Sequence, residues 1–160
     1  MKKFISILLL LIISKLIYAQ KVEKEIGNII EGKYVITTES NTIKKMLNHH
    51  LINIGINKEI ASIEIKKLKM RNKLSEYYLL YATNTNNTVK VAINLELRKN
   101  TFYAILMENT FENICVCNGC NDGCTPQRTK EKNDNAWSCS SCIESKNNSK
   151  CSKSITVNIP

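Results

Sequence analysis

Residues 89–98 read Val-Lys-Val-Ala-Ile-Asn-Leu-Glu-Leu-Arg, and an aliphatic side chain occupies every second position. A period of two residues places these aliphatic side chains on one face of a β-strand. The opposite face carries lysine, asparagine, glutamate and arginine around a single alanine. The stretch therefore predicts a strand of an antiparallel sheet with one buried face and one face in water.

The segments on both sides of this strand continue the sheet. Residues 77–83 are apolar on both faces, which predicts a central strand, and the asparagine-rich residues 84–87 predict a turn after it. Lys99-Asn100 predicts a second turn before a strand over residues 102–107. With a further strand from Ile60 to Met70, these segments predict an antiparallel meander of about four strands.

One amphipathic helix precedes this meander. Its apolar residues recur every three or four positions and form a single stripe of Ile43, Met46, Leu47, His50, Leu51 and Ile54. Ser40 or Asn41 is suited to cap the start of the helix, and Gly55 suits the left-handed position after its end. Further upstream, the apolar residues between Val22 and Ile30 also recur at helical spacing.

The predicted fold class is therefore α+β, with one amphipathic helix packed on the meander and a Cys-rich, loop-dominated C-terminal extension. This order of elements is similar to the cystatin-like α+β folds in architecture only, and no cystatin inhibitory motif is present. We expect a signal peptide over residues 1–19, an α+β domain over residues 20–114 and a Cys-rich region over residues 115–160. The alternation at the end of that region can return to the sheet as an edge strand.

All the cysteines lie in the C-terminal region, at Cys115, Cys117, Cys120, Cys124, Cys139, Cys142 and Cys151. Few large apolar side chains accompany them, so burial alone does not offset the entropy lost when this region becomes ordered. The region is therefore held by covalent bridges, closed by a metal, or loose. The favoured hypothesis makes all seven cysteines disulfide candidates, with three bridges and one odd thiol, and the sequence does not determine how they pair.

Two alternatives remain open for these cysteines. Cys117-x2-Cys120 and Cys139-x2-Cys142 match the spacing of a thiolate site for zinc or copper(I). The favoured disulfide hypothesis includes no cofactor, and in this alternative the cofactor is the metal, most simply zinc. The weaker alternative is a thiol–disulfide oxidoreductase that uses Cys139-Ser-Ser-Cys142, with Trp137 just upstream. Disulfides are favoured because exported chains meet an oxidising compartment.

The N-terminus predicts export. Met1-Lys2-Lys3 is followed by an apolar run from Phe4 to Ile13, and Ala19 offers a small residue for cleavage before Gln20. We therefore expect the mature chain in the periplasm or outside the cell, without a membrane span after cleavage. We do not expect a lipoprotein, because no cysteine follows the cleavage site.

The charge of the chain argues against nucleic-acid recognition. Its formal net charge is +9, but only three of the 23 basic residues are arginine, the side chain that reads guanine and phosphate best. The only histidines are His49 and His50, and no catalytic elbow, metalloprotease helix or phosphate loop is present. We therefore expect a non-enzymatic binding or structural module whose partner is a protein or an acidic cell surface.

Overall fold

A computed structural model of the protein describes residues 21–69, 76–107, 109–128, 137–143 and 150–156. Strands account for 58% of these residues, and a single helix lies among them. The predicted signal peptide lies outside the described residues.

The elements are β1 (Val22–Ile30), β2 (Lys33–Ile36), α1 (Ser40–Asn53), β3 (Ile60–Lys69), β4 (Glu76–Asn84), β5 (Val89–Arg98), β6 (Thr101–Met107), β7 (Thr110–Phe111), β8 (Ile114–Asn118), β9 (Pro126–Arg128), β10 (Trp137–Cys139) and β11 (Ser152–Thr156). Nine of the strands form one curled antiparallel sheet, and β9 and β10 form a separate two-stranded sheet.

Strand β5 is the point at which the large sheet divides. It pairs with β4 along Lys90–Leu95, with β8 along Val89–Ile93 and with β6 along Glu96–Arg98. One arm of the sheet continues from β8 to β11, and the other continues from β6 through β1 to β2. The first segment of the Cys-rich region is therefore hydrogen-bonded to the centre of the fold.

The main core lies on the face of the sheet that α1 covers. The alternating aliphatic residues of β5 point to this face, and the buried residues of α1, including Ile43, Leu47 and Leu51, pack in the same cluster. Each such side chain contributes about 1.5–3 kcal/mol when it is fully buried. Tyr78 and Phe102 close one end of the core with ring centroids 5.1 Å apart.

The predicted fold class is wrong in the size and composition of the sheet. Residues 22–30 form strand β1 rather than a helix, and the tail adds β8 and β11 to the same sheet. A register shift between Glu25 and Gly27 explains the misleading spacing, because the extra residue breaks the alternation that marks a strand. The helix packed on a four-stranded meander is thus replaced by one helix and a nine-stranded curled sheet.

The predicted helix and the strands of the meander are found where the periodicity placed them. The predicted cap is wrong: Glu39 precedes the first turn of α1, and no side chain caps it. Gly55 has the expected left-handed backbone, with φ of +78°. Strand β8 runs from Ile114 to Asn118, across the expected domain boundary, so that boundary stays a prediction that needs a truncation experiment.

Candidate functional site

The Cys-rich segments form a layer over the outer face of the sheet, opposite α1. The layer contains the described parts of the chain from Gly119 to Arg128, from Trp137 to Ile143 and around Cys151. It rests on a second buried cluster that includes Leu79 of β4 and Ala92 of β5. We call these segments the disulfide layer.

Three disulfides hold the disulfide layer, and they pair cysteines from different segments. They join Cys117 to Cys139, Cys120 to Cys142 and Cys124 to Cys151, with Cα atoms 5.8, 5.8 and 5.3 Å apart. The two C-x-x-C motifs are therefore bonded to each other, and neither motif closes a bridge within itself. Parallel bridges between the same two segments fix their relative position.

Glycine allows the two cysteine segments to approach closely. A Cβ atom on Gly123 would lie 2.3 Å from the backbone oxygen of Ser141, and a Cβ atom on Gly119 would lie 3.0 Å from the Cα atom of Cys151. A real Cβ atom does not approach as closely as the one on Gly123 would, and the Gly119 contact would be tighter than most real ones, so side chains at these positions would push the segments apart. The sequence motifs Asn-Gly-Cys and Asp-Gly-Cys are the signal for this approach.

Lys90 fastens the disulfide layer to the sheet. Its residue is only 6% exposed, and its ammonium donates a 3.0 Å hydrogen bond to the backbone oxygen of Asn121 and another to that of Gly123. Burial lowers the pKa of Lys90, and the nearby carboxylate of Asp122 opposes that effect. This role cannot be predicted from the sequence, because a lysine on the polar face of β5 is indistinguishable there from a solvated one.

Cys115 is the one cysteine of the chain without a disulfide, and it is fully buried beneath the disulfide layer. Its Sγ atom lies within 4.8 Å of those of Cys117 and Cys139. Burial raises the pKa of the Cys115 thiol to about 12, and the charge of Lys153 lowers it only in part. The thiol therefore stays protonated near neutral pH, and a protonated thiol is a poor nucleophile.

The disulfide pairing bears on the metal-binding alternative and on the oxidoreductase alternative for the cysteines. The four residues of the metal alternative, Cys117, Cys120, Cys139 and Cys142, are bonded in pairs, and a disulfide sulfur lacks the negative charge with which a thiolate binds zinc. A metal site there stays a prediction for the reduced chain. The oxidoreductase alternative needs a reactive thiolate, whereas the only thiol described is the protonated Cys115.

A groove runs along the border between the disulfide layer and the sheet. Leu68 and Lys69 of β3 and Tyr77 of β4 form one side, and the segment from Thr125 to Arg128 forms the other. Its volume is about 470 Å³. We call this the Tyr77–Arg128 groove.

Arg128 is held in a fixed position within the Tyr77–Arg128 groove. Its guanidinium donates a 3.1 Å hydrogen bond to the Oδ1 atom of Asn94. The same group lies 5.7 Å from the ring centroid of Tyr77 and 5.8 Å from that of Trp137. Contacts of this type stabilise a cation above an aromatic face and pre-organise it for binding. Nothing in the spacing of the sequence brings these residues together.

The histidines lie away from the disulfide layer, on α1. His50 is buried in the stripe that the sequence predicted, and its Nε2 atom has no hydrogen-bond partner among the described residues. Burial lowers the pKa of His50, and the neighbouring His49 lowers it further. His49 is exposed. The α1 stripe packs in the main core, whereas Cys115 belongs to the cluster on the opposite face of the sheet, so the histidines and Cys115 do not form a catalytic pair.

Comparison of the chain with protein-family models, curated proteins and solved structures finds no match. Within the described ranges, no helix has the length and apolar character needed to cross a membrane.

Proposed function

We propose that the protein is an exported, non-enzymatic binding module whose binding surface is the Tyr77–Arg128 groove. The observation that carries this proposal is the cross-pairing of the two C-x-x-C motifs. Bridges from Cys117 to Cys139 and from Cys120 to Cys142 connect two distant segments and fix the wall of the groove. Redox C-x-x-C motifs instead close and open a bridge within the motif.

The groove favours an acidic ligand. Among the described residues that line the groove, the charged ones are Lys69 and Arg128, and both are cationic. Arg128 is held by Asn94, Tyr77 and Trp137, so little side-chain entropy is lost when a carboxylate binds to it. We therefore propose an extended acidic segment of a partner protein as the ligand, in agreement with the basic character of the whole chain.

The chemical state of the exported protein tests the first part of the proposal. Intact mass and N-terminal sequencing should give a chain that begins at Gln20 and carries three disulfides. Insulin reduction assays should show no thiol–disulfide oxidoreductase activity. A chain that keeps Met1, or a purified protein with one bound zinc and alkylatable Cys117 and Cys139, would contradict the proposal.

Trp137, the only tryptophan of the chain, reports on the groove directly because it contacts Arg128. Titration with an oligo-glutamate peptide should change its fluorescence, and the effect should weaken as salt screens the charges. An oligo-lysine peptide of equal length should produce no change.

Arg128→Gln is the matched variant for this titration, because it keeps a polar side chain and removes the charge. It should weaken binding of oligo-glutamate about tenfold or more, as expected for a charge-assisted hydrogen bond. Lys33→Gln, on exposed β2, is the control and should bind like the parent chain. Equal binding by Arg128→Gln and the parent would exclude the groove as the binding surface.

A further inference from the structure

A second cavity lies on the outer face of the sheet, on the part that the disulfide layer leaves uncovered. Its volume is about 60 Å³, and Glu23, Glu96 and Glu112 contribute carboxylates to its lining. Asn113 contributes an amide, and Tyr103 contributes an aromatic ring. A cavity of this size admits a small group but not an extended peptide.

The lining contains two buried oxygen atoms that accept no hydrogen bond from the part of the chain that the structure describes. The side chain of Glu112 is only 7% exposed; its Oε1 atom accepts a 2.9 Å hydrogen bond from the ammonium of Lys21, and its Oε2 atom has no partner among the described residues. The Oδ1 atom of Asn113 is also buried and unpartnered within the same part of the chain. Buried polar atoms are nearly always satisfied, and an unsatisfied one costs about 1–3 kcal/mol. Both atoms are acceptors, so each can accept a hydrogen bond from a donor or contact a cation.

The rim of the cavity already binds a cation. The guanidinium of Arg98 donates to Glu23 at 2.6 and 2.7 Å and to Glu96 at 2.7 and 2.8 Å. Hydrogen bonds from Arg98 lower the pKa of Glu23 and the pKa of Glu96, so both carboxylates are ionised near neutral pH. The same guanidinium lies 5.5 Å from the ring centroid of Tyr103. Cations are thus favoured on this surface by charge and by the aromatic face.

The donor set suits an ammonium group better than a metal ion. Among the described residues, the only group of three potential ligands whose atoms lie within 4.8 Å of one another is formed by cysteines, so the three carboxylates do not converge on one point. A calcium ion needs six to eight converging oxygen atoms. An ammonium has three N–H donors that point in different directions and can reach separate acceptors.

We propose that this cavity binds a primary ammonium group, with Glu112 as its principal acceptor and Asn113 as the second. The ammonium can come from the side chain of a lysine on a partner protein or from a small free amine. This site goes beyond the binding role proposed above, because its ligand is a cation and the groove takes an anion. A negative result for the ammonium site does not contradict the proposal for the Tyr77–Arg128 groove, and the reverse also holds.

Calorimetry and thermal unfolding of the full exported chain test the site with methylammonium chloride. The ammonium should bind and raise the melting temperature, whereas sodium chloride at equal ionic strength and tetramethylammonium chloride, which has no N–H donor, should not. Glu112→Gln keeps the shape of the side chain and should weaken methylammonium binding about tenfold or more. Glu64→Gln removes an exposed carboxylate elsewhere on the sheet and should bind like the parent.

Asn113→Gly covers the case in which Glu112→Gln does not fold. Asn113 has a φ of +56°, which glycine adopts without strain, so this variant removes only the amide acceptor and should also weaken binding. An acetylated Gly-Lys-Gly peptide that binds, when its ε-acetylated form does not, assigns the site to a lysine side chain; binding of methylammonium alone assigns it to a free amine. Absence of any response to both probes, or binding of calcium chloride in place of methylammonium, would overturn the proposal.

Discussion

The Sγ atom of Cys115 lies within 4.8 Å of the Sγ atom of Cys139, although Cys139 is bonded to Cys117. Attack by the thiolate of Cys115 on the Sγ atom of Cys139 would break the bridge to Cys117. A new bridge between Cys115 and Cys139 would form, and Cys117 would leave as a thiolate. The exchange requires a thiolate, and burial keeps the thiol of Cys115 protonated. The fold therefore places a thiol beside a disulfide and suppresses the reaction between them.

This relationship predicts the alkylation pattern of the chain. Iodoacetamide at pH 8 should label no cysteine in the folded protein, one cysteine in denaturant without reductant and seven after reduction. Peptide mapping should locate the single label at Cys115. Labelling of any other residue in the denatured, unreduced protein would contradict the pairing, and Cys115→Ala provides the control with no label.

The hydrogen bonds of Lys90 predict that replacing this residue will lower the stability of the protein. Lys90→Met keeps the aliphatic length but leaves the backbone oxygens of Asn121 and Gly123 without their donor, so it should lower the free energy of unfolding by about 1–3 kcal/mol. Lys153→Met removes an exposed lysine that donates to the backbone oxygen of Trp137 and should have a smaller effect. Urea denaturation with the disulfides intact measures both, and equal losses would argue against an anchoring role for Lys90.

His50 predicts sensitivity to mild acid. Its pKa in the folded protein is lowered from the ordinary value of 6.5, so the unfolded chain binds the proton more tightly. The stabilisation from neutral His50 is present above pH 6.5 and is lost as the pH falls through the folded pKa. His50→Leu should lose less stability than the parent chain between pH 7 and pH 5.5. His49→Gln should lose nearly as much stability as the parent over the same range. Parallel pH profiles for His50→Leu and the parent would refute the prediction.

Strand β8 predicts that the Cys-rich region contributes to the main core. Ile114 and Val116 are fully buried in the cluster that contains the buried residues of α1, and β8 covers one edge of β5. A chain from Gln20 to Asn113 should therefore lose cooperative thermal unfolding, because it lacks these side chains and exposes an unpaired strand edge. A cooperative transition in this fragment would show that the expected boundary after residue 114 separates two stable units.

A single substitution at Val91 tests the same core. Val91→Asp places a carboxylate on the fully buried face of β5 and should destabilise the protein by several kcal/mol, as expected for a buried charge without a partner. Arg98→Gln changes the solvent-facing side of the same strand and should destabilise the protein far less than Val91→Asp does, because solvent screens the ion pairs of Arg98. Denaturation curves that give similar losses for both variants would contradict the assignment of the two faces.

Elements that depend on local periodicity can be predicted from the sequence. Strand β5 alternates without error, β4 is apolar on both faces, and α1 repeats at helical spacing, so each pattern follows from geometry within one element. The clustering of all seven cysteines after Ile114 is also sufficient to predict a region held by disulfides. The sequence pattern of strand β1 favours a helix because the bulge between Glu25 and Gly27 interrupts the alternation that marks a strand.

Contacts between residues that are distant in sequence follow from the tertiary fold. The pairing of Cys117 with Cys139, the anchoring of the disulfide layer by Lys90, and the position of Arg128 between Tyr77 and Trp137 depend on how strands distant in sequence align across β5. The same alignment brings β8 into the centre of the sheet. Spacing along the chain carries no information about these contacts, because they are selected by the combined burial of both faces of the sheet and not by any single segment.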